Sequence, residues 1–246
     1  MSTPAVVPES QTGLSEGERL VDTFFAPSKT FADIRRNASW WVPWLLLSLV
    51  SIAFLQTVGA KIGWEQVTRN ELRVSGRAEK FEQSPPEQQK RGMEISETIY
   101  KVTSWIPPVT LLIFAVILGA ILMAAFNFGM GAEVTFKQSL AIVFYAFLPS
   151  ILGSILGIVS LIIGVDPEGF NMRNPVATNP AYVMDPTKAK FLYGMVSAVD
   201  VITIWTIILL GIGYASVSKV KKGTAIATIA GLFIVWKLIV SGISAL

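Results

Sequence analysis

The sequence contains no cysteine and no histidine, and only 15% of its 246 residues are Asp, Glu, Lys or Arg. Lack of cysteine removes disulfides and thiolate chemistry. Lack of histidine removes imidazole acid/base catalysis and, with cysteine also missing, ordinary zinc or haem ligation, so no metal and no cofactor is expected. Ser-His-Asp and Cys-His mechanisms are impossible, and the acids are scattered rather than clustered, which leaves no catalytic constellation. A soluble domain carries about 25% charged residues. Here the deficit is concentrated in blocks, the signature of membrane spans, in a chain that is 52% hydrophobic. The net charge of +3 raises nucleic acid as a partner. The Lys and Arg residues, however, lie between the apolar blocks and form no stripe with interleaved aromatics. They read as topology determinants or contacts to anionic lipid, and no nucleic-acid partner is expected.

What is present is long apolar runs. With about 20 apolar residues needed per crossing, five spans are expected: Trp40–Ile62, Trp105–Phe128, Gln138–Gly164, Phe191–Ala215 and Thr224–Leu246. The fold class that follows is an all-α, polytopic membrane helix bundle occupying residues 40–246. The first 39 residues lack the apolar run of a cleavable signal peptide, so the first block is expected to act as its own insertion signal. Trp40, Trp41 and Trp44 open the first span and Trp105 the second, where aromatic rings favour the headgroup interface. Pro107 and Pro108 in the second span and Pro149 in the third each remove an amide donor, and a kink is expected at each.

Residues 1–14, rich in Pro, Ser and Thr, are expected to be disordered. Ser15 and Glu18 then form a capping box. Leu20, Val21, Phe24 and Phe25 give the following helix an apolar face, Ala26–Pro27–Ser28 breaks it, and Phe31 and Ile34 mark a second short helix before Arg35 and Arg36. Residues 15–39 thus form an amphipathic segment. It either lies in the membrane interface, aromatic side down, or packs on the protein's own spans. Residues 63–104 form the one long polar connection, with seven basic and seven acidic residues. A helical hairpin outside the bilayer is expected there, with a second capping box at Ser84 and Glu87 on either side of Pro85–Pro86.

Orientation is finely balanced. With the N-terminus inside, the inner segments carry eight Lys or Arg and the outer ones ten. Density favours the N-terminus inside and the C-terminus outside: Lys219, Lys221 and Lys222 crowd one short connection with no acid, and Arg35–Arg36 abut the first span.

Charges at membrane depth are functional candidates. Asp200 in the fourth span and Lys237 in the fifth lie at similar depth on antiparallel neighbours, at ~1.5 Å per residue, and an ion pair between them is expected. It would serve either a proton or ion pathway or the mutual register of two helices. Gln56, Asn127 and Thr203 are the other polar residues of note. Small residues mark tight packing: Ser150, Gly153, Ser154, Gly157 and Ser160 in the third span, and Gly223, Ala227 and Gly231 in the fifth. Such ridges serve either the bundle itself or a homo-oligomer. Gly211 and Gly213 would add flexibility at the end of the fourth span.

The segments Phe25–Ala26–Pro27–Ser28–Lys29–Thr30–Phe31 and Trp40–Trp41–Val42–Pro43 stand before the first span. Thr135–Phe136–Lys137–Gln138 and Tyr145–Ala146–Phe147–Leu148–Pro149 stand at and within the third. With the polar N-terminal segment leading into five grouped spans, this pattern resembles the Yip family, the Ypt/Rab-interacting membrane proteins, and in particular its prokaryotic branch, over about residues 18 to 245. The resemblance implies a non-enzymatic integral membrane protein of a cytoplasmic, prokaryotic inner membrane, with its N-terminus inside. Eukaryotic relatives act in vesicle trafficking and membrane shaping. Their Asp-Leu-x-Gly-Pro segment has no counterpart here, so contact with prenylated Rab GTPases does not carry over. A membrane scaffold or organiser that binds protein or lipid partners is the leading expectation, and a small transporter or channel using Asp200 and Lys237 is the alternative.

Overall fold

The structure, a computed structural model, describes residues 13–245. The segment expected to be disordered lies outside them up to residue 12. Ser15 opens helix α1 (Glu16–Phe25) with the expected capping box: the Ser15 amide donates to Glu18 Oε2 at 2.7 Å, and the Glu18 amide to Ser15 Oγ at 3.2 Å. Pro27 cannot continue α1 but fits the first position of α2 (Pro27–Ile34).

The crossings follow. Helix α3 (Trp41–Lys61) is the first. The polar helices α4 (Trp64–Val74), α5 (Ala78–Glu82) and α6 (Pro86–Thr103) come next, and α7 (Pro107–Met130) is the second crossing. The third is divided into α8 (Phe136–Ala146) and α9 (Ser150–Ile163). Helices α10 (Lys190–Val196) and α11 (Val201–Val217) follow, bent by 55° to each other, and α12 (Lys222–Ala245) ends the chain. Four segments are long and apolar enough to cross a membrane, and α10 with α11 makes a fifth if taken as one. Connectivity requires that fifth crossing. The loop after α9 is tied to α4, with Asn70 Nδ2 donating to Pro167 O at 2.8 Å and to Phe170 O at 2.9 Å. The start of α12 is tied to α2, with Lys222 Nζ donating to Ser28 Oγ at 3.3 Å. Between these ties the chain returns from the far side, which carries α4–α6, to the near side, which carries α1 and α2. Only α10–α11 can make that return.

The prolines act by position. Pro107 and Pro108 stand at the start of α7, where a missing amide costs nothing, so the expected kink there does not occur. Pro149 does break the third crossing, between α8 and α9. Pro85 rather than Ser84 occupies the cap of α6, and the Ser84 hydroxyl donates instead to Lys80 O at 3.1 Å.

Helix α8 is the hub. Every residue from Ser139 to Ala146 is buried, enclosed by α7, α11, α3 and the α1–α2 pair. A helix that is apolar all round belongs at the centre of a bundle. Phe31, Ile34, Phe126, Ile142, Phe144, Tyr145, Leu148 and Tyr214 fill the space around it. A smaller far-side core of Val58, Trp64, Val67, Leu161 and Phe170 joins α4 to the ends of α3 and α9, with Trp64 stacked on Tyr100 of α6 at 5.5 Å.

Candidate functional site

The α1–α2 pair packs on the protein's own spans. Of the residues expected to face the interface, Phe31 is fully buried, and Phe24 meets Trp205 edge to face at 5.7 Å. Trp40 stacks on Phe144 at 5.7 Å. Phe25, 83% exposed, faces outward together with Val21 and Trp41. The hinge of this packing is Arg19, whose side chain is 1% exposed. Burying a charge is tolerable only with partners. Arg19 Nε donates to Asp33 Oδ2 at 2.7 Å, and the Glu16 carboxylate stands 3.8 Å from Arg19 Nη1. Glu16 Oε2 accepts from the Tyr145 hydroxyl at 2.9 Å, and the hydroxyls of Thr23 and Thr30 both donate to the Arg19 carbonyl. Burial opposes the charge on Arg19, and the hydrogen bond to Asp33 with the nearby Tyr145 oxygen outweighs it, holding the guanidinium charged. At Asp33, burial pushes the carboxyl up, but Arg36 and Arg19 together hold it below the ordinary carboxylate range. The sequence reading missed this cluster. Its only signal was an Arg set among Leu20, Val21, Phe24 and Phe25.

Asp200 and Lys237 come to a similar level without pairing, and the expected ion pair is not formed. Asp200 caps α11, its Oδ1 accepting from the Thr203 amide at 2.8 Å while Asn179 Nδ2 approaches Oδ2 at 3.5 Å. Lys237 Nζ donates to Ser197 Oγ at 3.4 Å. A carboxylate at a helix N-terminus is a stable arrangement without a counter-ion. The break between α10 and α11 is stitched by the loop before it, with the Val201 amide donating to Thr178 O at 3.1 Å. Gln56 Nε2 donates to Ser104 Oγ at 2.9 Å, and Asn127 exchanges two hydrogen bonds of 2.9 Å with the backbone of Val134.

The small residues divide by surroundings. A Cβ on Gly157 would stand 2.7 Å from the Phe54 ring, so this glycine lets α9 meet α3. Gly153 borders an open cleft with Ser150, Ser154, Phe54 and Asp200. Gly223, Ala227 and Gly231 are exposed on the outer face of α12. At Gly211 a Cβ would stand 2.7 Å from Ile226 Cα, so here α11 meets the backbone of α12; Gly213 faces the side chains of Ile142 and Phe31. These two glycines therefore serve close packing rather than flexibility. Ser139 and Tyr214 share a buried hydroxyl contact at the hub, and Ser139 Oγ donates to Gly119 O at 2.7 Å.

On the far side, Arg73, Asp166, Asn174, Tyr182, Asp185 and Tyr193 line a cavity of about 590 Å³. Tyr193 Oη accepts from Asn171 at 3.1 Å and Asn174 at 3.3 Å, which leaves its own proton to donate.

Neither the curated proteins nor the solved structures contain a match to this chain. The family model of the Yip1 domain matches residues 21–243, a run that takes in the end of α1, every crossing and the far-side helices, and this multi-pass membrane protein belongs to the Yip1 domain family.

Proposed function

We propose that the chain is a non-enzymatic membrane scaffold, with its N-terminus in the cytoplasm, its C-terminus outside, and a partner-binding surface on the near side. One observation carries this reading. The buried Arg19 cluster fixes the α1–α2 pair to the bundle while Val21, 57% exposed, and Phe25, 83% exposed, point away from it. A rigid, displayed apolar pair beside the bilayer is what a docking surface needs, because little ordering cost remains at binding. The transport alternative loses its motive in Asp200, whose carboxylate is occupied by capping α11.

The test is in-membrane crosslinking of the full chain. Val21→Glu with Phe25→Glu should sharply reduce crosslinked protein or lipid neighbours without shifting the thermal melt, because both side chains are exposed. Unchanged crosslinking would overturn the reading. Because the chain lacks cysteine, Ser75→Cys and Lys219→Cys report orientation cleanly: an impermeant thiol reagent applied from outside should label the first and spare the second.

A further inference from the structure

We infer that Lys29, Lys219, Lys221 and Lys222 form a docking surface for the phosphate groups of anionic phospholipid in the near-side leaflet. The inference rests on the scaffold reading and names one class of partner for it. The four lysines come from two elements distant in sequence, the first turn of α2 and the turn joining α11 to α12. The 3.3 Å contact from Lys222 Nζ to Ser28 Oγ brings those elements together. All four side chains are exposed, and among the described residues none has a carboxylate within salt-bridge distance. The arginines of this side differ among themselves: Arg19 and Arg36 both pair with Asp33, while Arg35, like Lys137 at the start of α8, has no carboxylate within salt-bridge distance among the described residues. The lysine patch is the group of unpaired cations gathered where α2 meets the turn between α11 and α12.

Local backbone adds to the same field. Neither the first turn of α2 nor that of α12 contains an acid, and the α2 cap offers no side-chain acceptor. The Ala225 amide makes the first backbone bond of α12, to Lys221 O at 2.9 Å, so the amides of Lys222, Gly223 and Thr224 precede it. Lysine in a first turn opposes the helix dipole, a mismatch that an external anion relieves.

Position selects the occupant. The turn joins two crossings, with Val217 ending α11 and Lys222 beginning α12, so the ammonium groups stand where a leaflet places its phosphates. Phe25, exposed immediately before the α1–α2 break, supplies an apolar contact beside them. Basic clusters flanking membrane spans attract anionic lipid in this way.

The experiment reconstitutes the full chain in nanodiscs of phosphatidylcholine with a minor fraction of phosphatidylglycerol, then extracts it and measures retained lipid by native mass spectrometry. Wild-type protein should hold phosphatidylglycerol over phosphatidylcholine by roughly fivefold or more. Lys29→Gln, Lys219→Gln, Lys221→Gln and Lys222→Gln combined should bring that ratio to near unity. A far-side variant of equal charge loss, Arg69→Gln, Lys80→Gln, Lys90→Gln and Arg91→Gln, should keep it. Among the described residues Lys219 and Lys221 make no side-chain hydrogen bond, so Lys219→Gln with Lys221→Gln alone should reduce the ratio measurably in protein with an unchanged melt. No enrichment in the wild type, or equal loss in near-side and far-side variants, would overturn the inference. Displacement of the lipid by millimolar inorganic phosphate would overturn it in favour of a soluble anion, and unaltered enrichment in the near-side variant in favour of another surface. Any of these leaves the crosslinking result at Val21 and Phe25 standing, so the two readings fail separately.

Discussion

Arg19 Nε donates to Asp33 Oδ2 at 2.7 Å across the break between α1 and α2, so one buried charge decides how the N-terminal pair sits on the bundle. Removing Asp33 leaves a buried guanidinium with Glu16 at 3.8 Å as its remaining carboxylate. Asp33→Ala should therefore cost roughly 3 kcal/mol, read as a lower melting temperature and faster amide exchange in residues 16–34. Arg19→Met, which removes the charge and keeps the volume, should cost less.

The same pair sets a pH response. The folded-state value of Asp33 lies below its ordinary value, so its contribution is fully present above the ordinary carboxylate range and fades as pH falls through the lower, folded value. Protection factors of the amides in α1 and α2 should be flat from neutral pH down to that range and fall only at more acid pH. A fall in protection beginning near pH 6 would contradict this assignment.

At the hub, Tyr214→Phe removes one hydroxyl and leaves Ser139 bonded to Gly119 O, at a cost of about 1 kcal/mol. Ser139→Ala leaves the Tyr214 hydroxyl buried without its partner and should cost about 2 kcal/mol. Unfolding in mixed micelles should rank the two in that order.

Glycine contacts separate packing from mere abundance. Gly211→Ala drives a methyl against the Ile226 backbone and should destabilise by roughly 2 kcal/mol. Gly153→Ala and Gly231→Ala meet nothing within 4 Å inside their helices, so each should leave stability unchanged or raise it by up to about 1 kcal/mol.

Asp200 offers a clean discrimination between capping and transport. Asparagine caps a helix as well as aspartate does, whereas Asp200→Ala should cost about 1 kcal/mol. Asp200→Asn should keep the melt, so any change in ion flux in liposomes would belong to the carboxylate itself.

The crossings were legible because apolar length is written directly in sequence. Trp40–Ile62 became Trp41–Lys61, and the others shifted by similarly small amounts. The bend before Asp200 was not legible, because the residues around it are as apolar as an unbroken span. Its signal was the Asp200 side chain, which reads equally well as one half of an intramembrane pair with Lys237. Amphipathicity in residues 15–39 showed which face was apolar but not what would cover it: Phe31 and Ile34 found α8 and α11, while Val21 and Phe25 stay exposed among the described residues. Arg19 was missed because charge is ordinarily a sign of surface, and its partner stands 14 residues away on another helix.

The stitching of Val201 to Thr178 carries a consequence for biogenesis. A straight span satisfies its own backbone as it enters the bilayer. The fourth crossing cannot, because the acceptor for its broken turn belongs to a loop already delivered to the opposite side. Completion of that crossing must therefore wait until residues 175–180 have folded back against the bundle. Membrane insertion and tertiary folding are coupled at this point, and lesions in an outlying loop should appear as defects of integration.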